Sequence, residues 1–212
     1  ILYGLAAGFV FQTNDARDFF GDNVRKRSVV IPNPIKDNLP MRYVGERKKK
    51  IVTFARLEPQ KNYPLLINSF SEFCKKYPEY TLEIYGQGEM EDPLKAMVKE
   101  LKIEERVRFM GFERNIHEKI LDASMFILPS DYEGLSNSML EAMAIGLPCI
   151  CTDCPPGGAK MFIENRVNGL LVPIKDKKSM VDAMNLLADD IALRDKISCN
   201  AAKVRHELSK EI

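Results

Sequence analysis

The 212-residue chain contains no tryptophan and only two histidines, and it has no excess of charge of either sign, with 31 Lys+Arg against 30 Asp+Glu. A strongly basic nucleic-acid binder is not expected from that balance. No apolar run approaches the ~18 residues of a membrane-spanning helix. The start, Ile1-Leu2-Tyr3-Gly4, carries neither an initiator Met nor a basic leader, so these residues are expected to lie inside a longer protein. Cysteines are few and odd in number, five, which argues against a disulfide framework and for a reducing, cytoplasmic compartment. What is present, 45% hydrophobic and 29% charged residues, lies near the globular average and far from the disordered class. The length suits one large domain, or one domain with a fragment of another.

Gly8-Phe9-Val10-Phe11-Gln12-Thr13 reads as a strand, and the polar residues after it as a short capped helix ending at Gly21. Val29-Val30-Ile31 is a second short strand, stopped by Pro32-Asn33-Pro34, whose prolines lack the donors a sheet requires. Residues 35–50 are polar and irregular and end in a basic run over 47–50, which reads as a solvated linker, with a phosphate or membrane contact as the alternative. The organisation expected is a remnant of an amino-terminal domain with its crossing over 1–34, a linker over 35–50 and the main domain over 51–212.

Beyond Lys50 the pattern is regular. Ile51-Val52-Thr53-Phe54-Ala55 reads as a buried strand, and Leu65, Leu66, Ser69, Phe70 and Phe73 recur at helical spacing after Pro64. Residues 80–85 form the next strand, and Asp92-Pro93 opens a helix with Asp92 as its cap. Val107-Arg108-Phe109-Met110, Met125-Phe126-Ile127-Leu128, Cys149-Ile150-Cys151 and Gly169-Leu170-Leu171-Val172 are further short apolar runs with helical stretches between them. Residues 176–212 read as two helices whose core-facing stripe is Val181, Met184, Leu187 and Ala188. Continuous apolar strands alternating with helices require a parallel sheet covered on both faces, which predicts a doubly wound α/β domain. Ligands of such sheets sit beyond the carboxyl ends of the strands, so chemistry belongs in the loops that follow them.

In Arg56-Leu57-Glu58-Pro59-Gln60-Lys61, two cations approach a helix start. A guanidinium fork, an ammonium and the partial charge of a helix N-terminus suit a diphosphate, though on spacing alone two solvated cations around Glu58 fit equally well. Gly86 and Gly88 in Tyr85-Gly86-Gln87-Gly88 form either a tight turn or a close approach of backbone to a phosphate or ribose. The dinucleotide fingerprint is incomplete, its third glycine falling on Glu91, which disfavours a nicotinamide-dependent dehydrogenase. Gly111-Phe112-Glu113-Arg114 is likewise a turn, or a loop whose backbone meets a nucleobase.

The densest constellation spans 129–148. Glu133 lies in a loop where a carboxylate accepts hydrogen bonds from sugar hydroxyls, Gly134 admits a close ligand, and the amides that follow open a helix and suit an anion. Glu141, one to two turns inside that helix, is placed to hold two ribose hydroxyls; its alternative is a capping box with Ser138, which needs no ligand. Cys149, Cys151 and Cys154 have no fourth ligand nearby and read as buried thiols in place of a zinc site. Neither His117 nor His206 has a Ser or Cys partner signalled by the sequence, so no nucleophilic triad is expected.

Together these residues resemble the retaining glycosyltransferases of family 4, in their carboxyl-terminal donor-binding domain. The likeness covers Phe54-Ala55-Arg56-Leu57 with Lys61, Ile84-Tyr85-Gly86-Gln87-Gly88, Val107-Arg108-Phe109-Met110-Gly111, Leu128-Pro129-Ser130 and an E-x7-E motif at Glu133 and Glu141. It continues through Glu141-Ala142-Met143-Ala144 and Gly146-Leu147-Pro148 to Asn168-Gly169-Leu170-Leu171-Val172-Pro173. Gln12-Thr13 and Ile31-Pro32-Asn33-Pro34 are similar to the end of that family's amino-terminal domain and its crossing.

The resemblance implies a GT-B enzyme, with two Rossmann-like domains across a cleft, that transfers a hexose from a nucleotide-diphosphate sugar to a glycan or lipid-linked acceptor with retention. A UDP-sugar is the donor suggested by the Cys154-Pro155-Pro156-Gly157-Gly158 loop, and neither a metal nor another cofactor is implied. By the same resemblance Arg56 and Lys61 neutralise the diphosphate and its leaving charge. Glu141 holds the ribose, and Glu133 with the amides of Gly134, Leu135 and Ser136 holds the sugar and distal phosphate. Gly86 and Gly88 belong to the donor pocket, and backbone from Phe112 to Arg114 meets the base. The departing phosphate is implied to assist deprotonation of the acceptor. Ala55 stands where the family usually carries Gly, and a Glu common near Met161 is missing. Two alternatives stay open: a sugar-nucleotide-dependent synthase with a phosphosugar acceptor, and a non-catalytic nucleotide-binding module. The full-length protein is expected in the cytoplasm, with peripheral contact at the inner face of the membrane, and the fragment alone is expected to be inactive. The last helix often crosses to the other domain in that family, so exposed apolar surface is expected near Leu2, Leu5 and the final helix.

Overall fold

The computed structural model describes residues 5–209, which leaves Leu2 outside the described residues. A small parallel pair, β1 (Phe9–Phe11) and β2 (Ser28–Val30), comes first, with α1 (Asn14–Asp18) and α2 (Asp22–Arg25) between its strands. Thr13 caps α1 by accepting from the Ala16 N–H.

The main sheet holds β3 (Lys48–Phe54), β4 (Thr81–Tyr85), β5 (Val107–Gly111), β6 (Ala123–Leu128), β7 (Cys149–Thr152) and β8 (Leu170–Val172). All neighbours are parallel, in the order β5-β4-β3-β6-β7-β8. This is the doubly wound Rossmann order, and it reverses between β3 and β6. Alternation along β3 explains why both faces are covered. Ile51 joins the core built with α3 (Tyr63–Phe73), α4 (Glu91–Glu100) and α8 (Lys177–Asp189), while Val52 and Phe54 join the core built with α5 (Ile116–Ile120) and α6 (Asn137–Ala144). A helix as short as α3 does not persist alone in water. It is held by burial of Leu65, Leu66, Ile67, Phe70 and Phe73, each worth roughly 1.5–3 kcal/mol.

Several details differ from the expectations. Asp92 is not a cap: α4 begins at Glu91 after Met90, and Pro93 sits in the first turn, where a missing donor leaves no intrahelical bond unmade. The tail forms α8, α9 (Ile191–Ala201) and a third short helix, α10 (Val204–Glu207). Met184 and Leu187 are buried as expected, and Val181 and Ala188 only half so. Among the described residues, the closing helix is not an exposed apolar face. Val204 and Leu208 are buried, the Ile35 N–H donates to the Leu208 carbonyl at 3.2 Å, and Arg205 donates to the Leu39 carbonyl at 3.1 Å. Leu5, by contrast, is 88% exposed.

The stretch 35–50 is solvated only in part: residues 36–38 and 44–46 and the side chains of Lys48 and Lys49 are exposed, but several other positions are not. Ile35 and Leu39 are buried in the core, and Lys48, Lys49 and Lys50 belong to β3. Arg47 is buried and donates to the carbonyls of Leu121 (3.2 Å), Ala123 (2.8 Å) and Gly146 (2.7 Å) and to Ser198 Oγ (2.9 Å). A run of cations reads as solvated because a buried charge needs partners, and the guanidinium finds its partners far along the chain. Burial pulls Arg47 down to about 10, still charged at neutral pH. Among the described residues no helix is long and apolar enough to cross a membrane.

Candidate functional site

β3 and β6 lie side by side where the strand order reverses, so the loops that leave their carboxyl ends meet. The β3 loop closes in a single 3-10 turn, Pro59–Lys61, followed by Asn62 in the left-handed region (φ 44°), whose side chain caps α3 by accepting from the Leu65 N–H. That turn buries Lys61 and aims its ammonium at Glu133 in the β6 loop, with which it is ion-paired. The Ser130 hydroxyl lies 3.5 Å from the same carboxylate oxygen. Two further bonds tie the loops together: the Asp131 N–H donates to the Gln60 carbonyl at 2.9 Å, and Asn62 Nδ2 donates to Asp131 Oδ1 at 2.7 Å. Arg56 takes a different partner, Glu58 at 2.6 Å, with its side chain 73% exposed.

Arg56, Gly86, Phe112, Arg114 and Glu141 line one cleft of about 520 Å³, floored by Phe54 and Tyr85. Gly88 lies outside it, in a neighbouring depression beside Glu58 and Tyr132. The two glycines are required by the packing of protein on protein. A Cβ at Gly86, where φ is 135°, would fall 1.9 Å from the Ala55 carbonyl, and one at Gly88 would fall 2.4 Å from the Leu57 carbonyl. The Leu57 N–H donates to the Gln87 carbonyl at 3.0 Å, so the loops after β3 and β4 continue the sheet. Gly134, Leu135 and Ser136 lead from Glu133 into α6 without lining the cleft. The Gly134 carbonyl presses on α7 (Gly158–Phe162), where a Cβ at Gly158 would fall 1.7 Å from it.

Ser136, not Ser138, caps α6, accepting from the Met139 N–H, and no capping box involves Glu141. Glu141 Oε2 accepts from His117 Nε2 at 2.8 Å, and Glu141 Oε1 faces Lys36 Nζ at 3.2 Å. Burial pushes this carboxyl up, but the His117 hydrogen bond and the Lys36 charge outweigh it and hold Glu141 below the usual carboxylate range. His117 stands edge-on to Phe54, their ring centroids 6.0 Å apart. The sequence assigns His117 no partner, because the pairing joins two helices across 24 residues and no local spacing announces it. Its rarity, one of two histidines, is the only signal. Cys149, Cys151 and Cys154 are buried free thiols, and burial pushes all three up and away from reactivity. Among the described residues no group of three or more His, Cys, Asp or Glu is arranged to hold a metal ion.

Residues 41–204 match the profile of the family described as "Glycosyl transferases group 1". The chain is 33% identical over 162 residues to the Campylobacter jejuni N-acetylgalactosamine-N,N'-diacetylbacillosaminyl-diphospho-undecaprenol 4-alpha-N-acetylgalactosaminyltransferase, covering 76% of this chain and 43% of that protein. It is also 33% identical over 164 residues to an uncharacterized glycosyltransferase of Haemophilus influenzae, covering 77% of this chain and 45% of the relative. The chain thus spans under half the length of these curated relatives. Among solved structures, S. aureus TarM in complex with fondaparinux, alpha-GlcNAc-glycerol and UDP superposes with a TM-score of 0.87 at 25% identity, over 97% of this chain and 41% of that one.

Proposed function

The chain belongs to the group 1 glycosyl transferases, and on that premise we propose that it is the donor-binding half of a retaining hexosyltransferase that takes a UDP-sugar and glycosylates a glycan or lipid-linked acceptor. The observation that carries this reading is the cleft beyond the carboxyl ends of the strands, lined by Arg56, Glu141 and the loop from Phe112 to Arg114; the Lys61–Glu133 pair ties the loops after β3 and β6 together without itself lining that cavity. A carboxylate kept ionised inside a cleft is an acceptor suited to the two hydroxyls of a ribose. An exposed ion pair such as Arg56–Glu58 is worth about 0–1 kcal/mol, so a doubly charged diphosphate readily takes the guanidinium from it. Lys61, already beside Glu133, places the sugar-binding carboxylate next to the cation that receives the leaving phosphate. As the glycosidic bond breaks, charge grows on that phosphate, and two cations, Lys61 held by Glu133 and Arg56 drawn from Glu58, stabilise it without a metal.

The uridine base is supported by the complex of the S. aureus relative with UDP, and the lipid-linked acceptor by the diphospho-undecaprenol in the name of the C. jejuni relative. Such an acceptor would bring the whole protein to the membrane surface from the cytoplasm. The test is calorimetric titration with UDP, GDP and ADP, repeated on Glu141→Ala and Lys61→Ala. UDP is expected to bind selectively, unaffected by a chelator, and at least about tenfold more weakly in each variant, a loss of ~1.4 kcal/mol. Equal binding of all three nucleotides, or unchanged affinity in both variants, rejects the reading.

A further inference from the structure

Glu141 has two partners of opposite character. His117 is buried, its side chain 10% exposed, whereas the side chain of Lys36 is 65% exposed. The histidine ring packs near-perpendicular to Phe54, and its Nε2 donates to Oε2 of the carboxylate at 2.8 Å. Lys36 reaches Oε1 from the crossing segment at 3.2 Å and has open solvent to withdraw into. A carboxylate offers about four acceptor positions on two oxygens, so fixing one oxygen leaves the other available to a ligand.

We infer that His117 is the positioning residue of the cleft: it locks Oε2 of Glu141, so that Oε1, once Lys36 swings away, is presented to the ribose diol. The inference rests on the reading that Glu141 binds ribose. Without the His117 donor, a glutamate side chain has rotamer freedom that it must lose on binding. Its carboxylate then follows Lys36 or turns on itself, and the diol meets no preformed acceptor. Phe54, His117 and Glu141 thus form a chain of contacts from β3 to the cleft, which Phe54 and Glu141 line and His117 does not.

The experiment compares affinities of the full chain for UDP and 2′,3′-dideoxy-UDP in four proteins: wild type, His117→Leu, His117→Gln and Glu141→Ala. Hydrogen bonds to a charged group are worth enough that the wild type should prefer UDP by at least about tenfold. His117→Leu should bring that preference close to unity while dideoxy-UDP binds as before. His117→Gln, whose amide offers a donor near the position of Nε2, should restore it. Equal weakening of both nucleotides by His117→Leu would mean that the histidine merely supports the fold, and the inference falls. If Glu141→Ala keeps the wild-type preference, the ribose reading itself falls, and with it the role given to His117. Thermal melts of each variant show that the compared proteins are folded.

Discussion

At the scale of residues, Glu141 is a carboxylate whose partners hold it charged. Glu141 titrates below the ordinary value of 4.5 in the folded chain, because His117 and Lys36 outweigh the cost of its burial. A carboxyl with a depressed folded pKa contributes stability that is complete above its unfolded value and lost as pH falls through the folded one. The wild type should therefore lose more melting temperature than Glu141→Gln as pH drops from about 6 to about 3. Scanning calorimetry decides it, and parallel losses in the two proteins would show that the pair contributes nothing. Arg56, Lys61 and Glu133 were singled out as candidates because loops that follow parallel strands are where ligands bind, and Glu141 because the helix opened by one such loop carries it. His117, Lys36 and the buried Arg47 were not. Each depends on an acceptor far along the chain, and a lone cation or imidazole looks the same in sequence whether it faces water or a buried carbonyl.

At the scale of elements, the strands were easy to read and their edges were not. Continuous apolar runs marked β3 to β8, yet β3 begins at Lys48, because backbone pairing with Ala123 does not need an apolar side chain. The helix α7 and the closing helix α10 are too short to show a periodicity. α7 nonetheless bears on the site. Its Gly158 lies against the Gly134 carbonyl, and a methyl group there would meet backbone, which cannot turn aside as a side chain can. Gly158→Ala should push the loop after Glu133 out of place and weaken UDP binding by about tenfold or more, a misplacement of the kind that costs heavily in positioned sites. Affinity equal to wild type would show that this loop does not hold the donor.

At the scale of the whole molecule, the pair β1–β2 and the main sheet meet through polar contacts. Thr13 Oγ1 donates to the Pro156 carbonyl at 2.8 Å, and Lys160 pairs with Asp15 at 2.6 Å on the surface. Among the described residues, both apolar cores begin at Ile35 or beyond. Removing residues 1–31 should therefore cost about 1–2 kcal/mol and lower Tm by about 5 °C, with unfolding still a single transition. A loss of cooperativity would place β1–β2 inside the main folding unit. The strand order also carries a consequence for the chain as it is made. β3 pairs with β6, its Lys48 opposite Ala123, and β6 is synthesised only after β4 and β5 have emerged. Glu133 and Glu141 arrive with β6 and α6, so a nascent chain that stops after β5 carries Arg56 with its partner Glu58, and Lys61, but neither Glu133, the partner of Lys61, nor Glu141. The proposed nucleotide site is thus complete only once α6 has been made, and a chain stalled on the ribosome before that point is expected to retain no nucleotide.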